Sequence, residues 1–406
     1  MAQTRIVADL HLHSRFARAT SRNLNLAALA SSARGKGITL LAAPDFTHPA
    51  WLEEMRGELV EDGDGIYAAH GARFMLATEV ACNWQQGGRG RRVHILVLAP
   101  GFAAVDRFNK ALDRVANREE DGRPALGISG HDLALMAWEA DPRCVIIPAH
   151  VWTPWFGLYG SKSGFDSLEE CFGDVSDRIK AVETGLSSDP PMNWRVPDVD
   201  RMSIVSFSDA HSAPKMGREL TVLDAEFSYS SVASALEGNG VLETIEFHPE
   251  HGKYHFDGHR KCDVRMTPAE SAAVKYRCPV CGRKLTLGVL HRVEELAGRP
   301  PLQSKSRGSL VSGPADRPPF RSLVPLQELL SQALGVGTGA KRVTRAYHSL
   351  VEELGGELDV LISSEISDIE RITDSTVAAA VSAVREGHVE TEPGYDGVYG
   401  SVKAII

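Results

Sequence analysis

Along the first 250 residues, short apolar runs rich in leucine and β-branched residues alternate with stretches whose apolar positions recur every three or four residues. Runs at 5–10, 38–43, 73–76, 93–98, 144–147, 179–182 and 203–207 read as strands. Their alternation with helical stretches predicts parallel strands joined by crossover helices, an α/β architecture. Between the first two runs Leu26, Leu29, Ala30 and Ala33 share one helical face, Asn25 stands at the N-cap position, and Gly35 and Gly37 can stop the helix. The pattern then changes: 251–298 carries nine Lys/Arg against five Asp/Glu and reads as a separate small module. Next, 299–321 holds Pro300, Pro301, Pro314, Pro318 and Pro319 among Ser, Gly and Arg, a composition that predicts an exposed linker or insertion. From 322 to 406 helical periodicity returns, with helices expected at 324–334, 340–354 and 375–385. The Gly-rich segment LGVGTGAK between the first two lacks the spacing of a nucleotide-binding loop and reads as a connecting turn.

Composition narrows the class. At 406 residues with 43% hydrophobic and 24% charged positions, the chain has enough apolar material for more than one packed domain. The net charge of −9 argues against a wholly cationic nucleic-acid sleeve but leaves local basic patches open. No signal-peptide pattern opens the sequence and no run of about 18 apolar residues interrupts it, so no membrane association and a cytoplasmic address are expected. Six cysteines are too few for a disulfide scaffold, and three of them gather between 262 and 281.

The strongest chemical signal is the recurrence of His, Asp and Glu where the strand candidates end. His11 and His13 stand in DLHLHS, Asp45 and His48 in APDFTHP, Glu79 in MLATEV, His150 in VIIPAH, Glu183 in KAVETG, and Asp209 with His211 in SFSDAH; His94 opens its strand instead. Strand ends of a parallel barrel converge on one face, so residues far apart in sequence can share a site. His11 and His13, at i and i+2 of an extended segment, point the same way. Mixed imidazole and carboxylate donors suit zinc, manganese or iron, and bridging carboxylates suit several ions together, a set fit for phosphodiester hydrolysis. His11, His13, Glu79, His94, His150 and Asp209 lead as ligands, with Glu79, His150 and Asp209 as the catalytic core. Asp45, His48 and His211 follow, and Glu183 can either bind metal or line a pocket wall. A second set, His259, Cys262, Cys278 and Cys281, has the spacing of a structural zinc site, with His291 as an alternative fourth ligand.

DLHLHS, the Asp45/His48 pair, Glu79, His94, His150 and the SDAH at 208–211 resemble the successive motifs of the polymerase and histidinol phosphatase (PHP) superfamily. The segments HVWTPWFGLYGSKSGFDS, ETGLSSDPPMNWR, CPVCGRKLT and PGYDGVYG are more specifically similar to the endonuclease Q family. That resemblance implies a distorted seven-stranded (β/α) barrel over 1–250 with a multinuclear metal centre, a zinc-ribbon module over 251–298, and a C-terminal helical domain over 322–406. It also implies a metal-dependent DNA repair endonuclease that cuts on the 5′ side of deaminated bases (uracil, hypoxanthine, xanthine) and of abasic sites. Zn2+ is expected at the structural site and in the catalytic cluster, with Mn2+ or Mg2+ as alternatives in the cluster.

One departure is that RFARATS, after His13, has no acidic residue where many superfamily members carry one. With DNA as the expected partner, Trp155, Phe156 and Tyr159 with Ser161, Ser163 and Asn193 become candidates for holding an extruded base. Arg260, Lys261, Arg277, Arg283 and Lys284 become candidates for contacting the DNA backbone. The rival readings are a small-molecule phosphoesterase of the histidinol phosphatase type and a DNA-binding scaffold depleted of its metals.

Overall fold

The computed structural model describes residues 5–314 and 317–406. Each of the seven expected runs contains a strand. Arg5–Asp9, Leu40–Ala43, Val145–Pro148, Ala181–Glu183 and Ser203–Val205 match closely, while the third and fourth runs are the middles of two long strands, Ala72–Gln86 and Arg89–Ala99. Among the described residues most strands join one 13-stranded sheet, and Ala181–Glu183 with Ser203–Val205 form a separate parallel pair.

The expectation of uniformly parallel strands is corrected. Arg5–Asp9 pairs in parallel with Leu40–Ala43, which pairs in parallel with Ala72–Gln86. By contrast Ala72–Gln86 and Arg89–Ala99 are antiparallel, as are Arg89–Ala99 with Val145–Pro148 and Arg5–Asp9 with Leu220–Asp224. For the first of these pairs the cause is local: Gly87 and Gly88, with φ of 60° and 72°, supply the left-handed backbone that a two-residue hairpin turn requires, so the chain doubles back where a crossover helix was expected.

The first helix, Leu26–Lys36, is capped by the Asn25 side chain and ended by Gly37 at φ 80°. Its Leu26, Leu29, Ala30 and Ala33 are buried, so one face seals the sheet. Lys36, at its last turn, reaches Glu357 Oε2 at 2.6 Å, and Glu357 Oε1 accepts from Leu326 N at 3.0 Å. Both side chains are nearly buried, so losing one partner would leave an uncompensated charge at a cost of about 3–5 kcal/mol. This pair ties the C-terminal helices to the first helix of the main sheet's domain.

The Pro-rich segment is not a detached linker. Lys305–Arg307, Leu310–Ser312 and Phe320–Ser322 form strands, the last of which pairs in parallel with Val241–Glu246 and extends the main sheet. Buried Phe320 packs against Trp194 and anchors the extension. Positions 315 and 316 within this segment lie outside the described residues. The C-terminal part contains the three expected helices as Leu326–Leu334, Lys341–Leu354 and Ser375–Arg385, adds two short ones, and ends in the hairpin Val389–Glu392 with Ser401–Ala404. Among the described residues no helix is long and apolar enough to cross a membrane.

Candidate metal centre and candidate cysteine site

The fold brings His11, His13, Glu79 and Asp209 together, and Glu79 again with His94 and His150; in each group one ligand atom per residue lies within 4.8 Å of the others. The expected strand-end positions are corrected for two of them: Glu79 lies inside Ala72–Gln86 and His94 inside Arg89–Ala99, because the hairpin carries both strands well past the apolar runs. Glu79 belongs to both groups. Its Oε1 lies 2.6 Å from His94 Nδ1 and 3.0 Å from His150 Nε2, while its Oε2 lies 3.3 Å from His13 Nε2. Asp209 Oδ1 sits 3.0 Å from His13 Nε2 and 3.6 Å from His11 Nε2. A carboxylate facing two donor sets in this way is the arrangement that lets one side chain serve two ions.

The chemistry of the set fits cations. His11 Nε2 is buried with no hydrogen-bond partner although its other nitrogen is engaged, which leaves a lone donor atom directed at two carboxylates. Burial alone would push the Glu79 carboxyl up, but His94, Arg123 and His11 around it outweigh that and hold it well below the usual carboxylate range. For His94 burial wins, and its pKa falls to about 4, so near neutrality this imidazole is a neutral ligand.

Around these residues a second layer fixes orientation. Glu183 accepts from His11 Nδ1 at 2.9 Å and from the His150 backbone N–H at 2.8 Å, so it orients two of the ligand residues and stands outside both groups. Asp45 does the same for His13, at 3.1 Å from Nδ1, and also accepts from Ser14 N at 2.6 Å. His211 lies beside the centre, its Nδ1 2.9 Å from the Asp209 carbonyl oxygen and its ring 4.5 Å from that of His13. His48 is a correction: it caps the helix Pro49–Glu58, its Nδ1 accepting from Trp51 N at 3.4 Å, it stacks on Phe16, and it belongs to neither group. Holding these side chains strains the backbone. Asp45, His150 and Asp209 take φ of 54°, 32° and 47°, and a Cβ on Gly185 would lie 2.4 Å from His150 Cβ.

Two residues at this centre are not singled out by the sequence pattern, although Asp9 opens the DLHLHS segment. Asp9 is buried and accepts from Ser208 N, Ser208 Oγ and Gly217 N, which pins the segment carrying Asp209; burial pushes its carboxyl up to about 6. Arg123 sends Nη1 to Glu79 Oε2 at 2.9 Å from a loop with no distinguishing motif. Only its three-dimensional position marks it.

The loop after His150 divides its candidate residues. Trp155 is 40% exposed and meets Tyr254 edge to face at 5.5 Å. Phe156, at φ 70°, lays its ring 4.4 Å from His94, and Ser161 is exposed. The other three are corrections. Tyr159 is fully buried against Trp152 with its hydroxyl donating to Asp198. Ser163 is buried, accepting from Phe156 N and donating to the Arg92 carbonyl. Asn193 accepts from Trp152 Nε1 and donates to Ser188 Oγ and the Asp189 carbonyl. Their polar atoms are spent on shaping the loop and its support.

In the small module His259, Cys262, Cys278 and Cys281 form a third group of donors within 4.8 Å of one another, and His259 Nδ1 lies 3.5 Å from Cys281 Sγ. Burial opposes ionisation of Cys278, yet the backbone N–H groups of Cys281 and Val280 bring its thiol down to about 6. His291 is turned elsewhere, its Nδ1 2.8 Å from Asp257 Oδ2. Arg260, Lys261, Arg277, Arg283 and Lys284 are all exposed. Arg292 instead bonds the carbonyls of Tyr159 and Phe165 and so fastens the module to the loop after His150.

Comparison with known proteins adds the evolutionary context. A family described as the MJ0043 C-terminal domain matches residues 325–388. The uncharacterized protein MJ0043 of Methanocaldococcus jannaschii is 31% identical over 258 residues, 62% of this chain, which spans about a third (31%) of that relative's length. The uncharacterized protein YqxK of Bacillus subtilis is 29% identical over 418 residues, covering 98% of this chain and 99% of the relative. Among solved structures, the lesion-specific endonuclease PfuEndoQ from Pyrococcus furiosus superposes with a TM-score of 0.86 at 30% identity, covering 98% of this chain and 95% of that one. An endonuclease Q complex with a 27-mer duplex substrate carrying an abasic lesion at the active site gives the same TM-score and identity, covering 99% and 97%. Agreement of this extent includes the catalytic domain, the cysteine module and the C-terminal helices together, and the chain belongs to the endonuclease Q family.

Proposed function

We propose that this protein is a DNA repair endonuclease that hydrolyses the phosphodiester on the 5′ side of uracil, hypoxanthine, xanthine and abasic sites, using a multinuclear metal centre on a PHP-type barrel. The observation that carries this reading is the near full-length similarity to an endonuclease Q solved with an abasic-lesion duplex at its active site. Retention of both ligand groups around Glu79 supports an active enzyme over a scaffold that has lost its metals. The cysteine module and helical tail, which a small phosphate ester would not need, favour a polymeric substrate over a histidinol phosphatase role.

His11, His13, Glu79 and Asp209 would hold one part of the metal centre and Glu79, His94 and His150 the other, with Zn2+, Mn2+ or Mg2+ as the ions. Bound there, such ions lower the pKa of water and neutralise phosphoryl charge. The protein's own contribution is positioning. Glu183 and Asp45 each take one ring N–H, which leaves the opposite Nε2 of His11 and His13 as the donor atom. Asp209, 26% exposed, marks the side from which substrate arrives. Beside His94, Phe156 and the neighbouring Trp155 would offer aromatic faces to an extruded base, and Ser161 can donate to the carbonyl oxygen that distinguishes uracil from cytosine and hypoxanthine from adenine. In the module, zinc on His259, Cys262, Cys278 and Cys281 would hold the exposed Arg260, Lys261, Arg277, Arg283 and Lys284 against the DNA backbone.

The test uses end-labelled duplexes containing uracil, hypoxanthine or an abasic site beside an undamaged control, with and without chelator, for the wild type and a Trp155→Ala/Phe156→Ala double variant. Cutting on the 5′ side of each lesion that chelator stops is expected. The variant should lose roughly 10-fold or more at uracil and hypoxanthine, the scale of base stacking, and much less at the abasic site, which has no base to stack. Cutting of undamaged DNA at the same rate would overturn lesion specificity, and equal losses on all three lesions would overturn the assigned role of the loop.

A further inference from the structure

We propose that Arg123 is a catalytic residue whose guanidinium binds the non-bridging oxygens of the phosphate being cut; this rests on the endonuclease reading above. The backbone around it is held from both sides. Gly122 donates to the Phe16 carbonyl at 2.9 Å, and its own carbonyl accepts from Thr47 Oγ1 at 3.0 Å. A Cβ on Gly122 would lie 2.8 Å from Asp45 Oδ2, so a residue without a side chain lets the loop lie against the metal centre. On the other side, the Pro124 carbonyl accepts from Ala81 N, and the strand Ala125–Leu126 pairs in parallel with Ala81 and Cys82, two and three residues beyond Glu79. Arg123 is thereby pinned next to the shared carboxylate.

The side chain is larger than a positioning role requires. Among the described residues its guanidinium makes one hydrogen bond, from Nη1 to Glu79 Oε2, and 24% of the side chain remains exposed, close to the 26% of Asp209. It is also the one Lys or Arg side chain, among the described residues, ion-paired with a carboxylate of either ligand group. A guanidinium has five N–H donors in a planar fork that matches a phosphate edge, and those of Arg123 not spent on Glu79 remain available to a phosphodiester that reaches this carboxylate.

In the reaction a bond forms between the oxygen of water and phosphorus while the ester P–O bond breaks. The attacking water gives up a proton and the departing oxygen takes one up. Arg123 exchanges no proton and balances the negative charge that grows on the non-bridging oxygens, where an aimed donor is worth most.

Arg123→Ala and Arg123→Lys would be prepared in the full chain and compared with wild type in cleavage rate, bound metal by elemental analysis, thermal melting and response to added guanidinium. The expected result is a fall in kcat of about 10²-fold or more for Arg123→Ala, the scale of removing one such donor, with metal content unchanged and part of the rate restored by guanidinium. Arg123→Lys should recover little, because a point charge does not replace the fork. Wild-type rates in Arg123→Ala would overturn the proposal, and so would loss of metal from either variant with full recovery on adding metal, which would reduce Arg123 to a support for Glu79. Should wild type itself leave lesion DNA uncut, the endonuclease reading falls and this proposal with it; a cutting wild type beside an equally active variant removes only the role of Arg123.

Discussion

The candidate donors of the sheet and those of the cysteine module would solve one problem, holding a cation, in opposite ways. The catalytic set draws His11, His13, Glu79, His94, His150 and Asp209 from across nearly 200 positions, and each depends on the strand that carries it. His259, Cys262, Cys278 and Cys281 lie within one short stretch whose strands, Asp257–His259 and Val264–Met266, are three residues each. The first set is scaffolded by a buried sheet and oriented by Glu183, Asp45 and Asp9; the second has few buried hydrophobic residues, Cys278, Leu285, Val289 and Val293 across 251–298. A site built by the fold can lose its metal and keep its shape, whereas a site that builds its fold cannot.

The largest effect that sharpens this contrast is expected at the catalytic set. Asp209→Ala and His150→Ala should each lower cleavage by at least about 10³-fold, a loss on the scale of removing groups that stabilise transition-state charge. Thermal melting and lesion-DNA binding should stay close to wild type, because sheet and loops remain. Cleavage within a few fold of wild type in both would break the assignment of the centre. A variant that unfolded would show instead that ligands and sheet are one cooperative unit.

Next in size is Cys278→Ser, which should release about one zinc per chain, measured by elemental analysis, and expose the module to limited proteolysis while the catalytic domain stays resistant. Unchanged zinc content would show that the module is held by packing after all, and the contrast between the two regions would disappear.

The same contrast explains what could be read from sequence. The module was legible because its donors are contiguous, although choosing His259 over His291 needed the Asp257 contact, which only the fold creates. The candidate ligands stood out as polar residues beside apolar runs, although Glu79 and His94 lie inside long strands and not at their ends, and the first helix was legible through Asn25 and Gly37. Other features followed from tertiary context. Asp45 and Glu183 have the same residue types as ligands and differ only in which atoms they face. Tyr159, Ser163 and Asn193 read as pocket residues because local sequence does not say that Asp198, Arg92 and Trp152 take up their polar atoms. Three strands inside a Pro-rich segment were hidden because an edge extension draws its order from the exposed side of Val241–Glu246.

The smallest effect concerns the polar interior beneath the catalytic set. Glu246 is fully buried; its Oε2 accepts from Thr184 Oγ1 at 3.1 Å and Ser206 Oγ at 3.0 Å, while Oε1 has no partner. Burial, reinforced by nearby Asp189, pushes its pKa up to about 8 from an ordinary 4.5, against the pull of those hydroxyls. Between these values the folded state holds a proton that the unfolded chain has released, so stability falls as pH rises, by at most about 1.4 kcal/mol per pH unit from this group. The contribution is fully present below pH 4.5 and is lost as pH climbs through 8. Glu246→Gln carries permanently the donor that the protonated carboxyl carries only at low pH, and it keeps an oxygen for Thr184 and Ser206. It should melt near wild type at pH 5 and higher than wild type at pH 8.5, by about 2–4 °C for each kcal/mol recovered. Equal slopes of melting temperature against pH in both proteins would mean that the charge of Glu246 is compensated in the folded state, and the interior below the metal centre would then be as well balanced as the packed sheet around it.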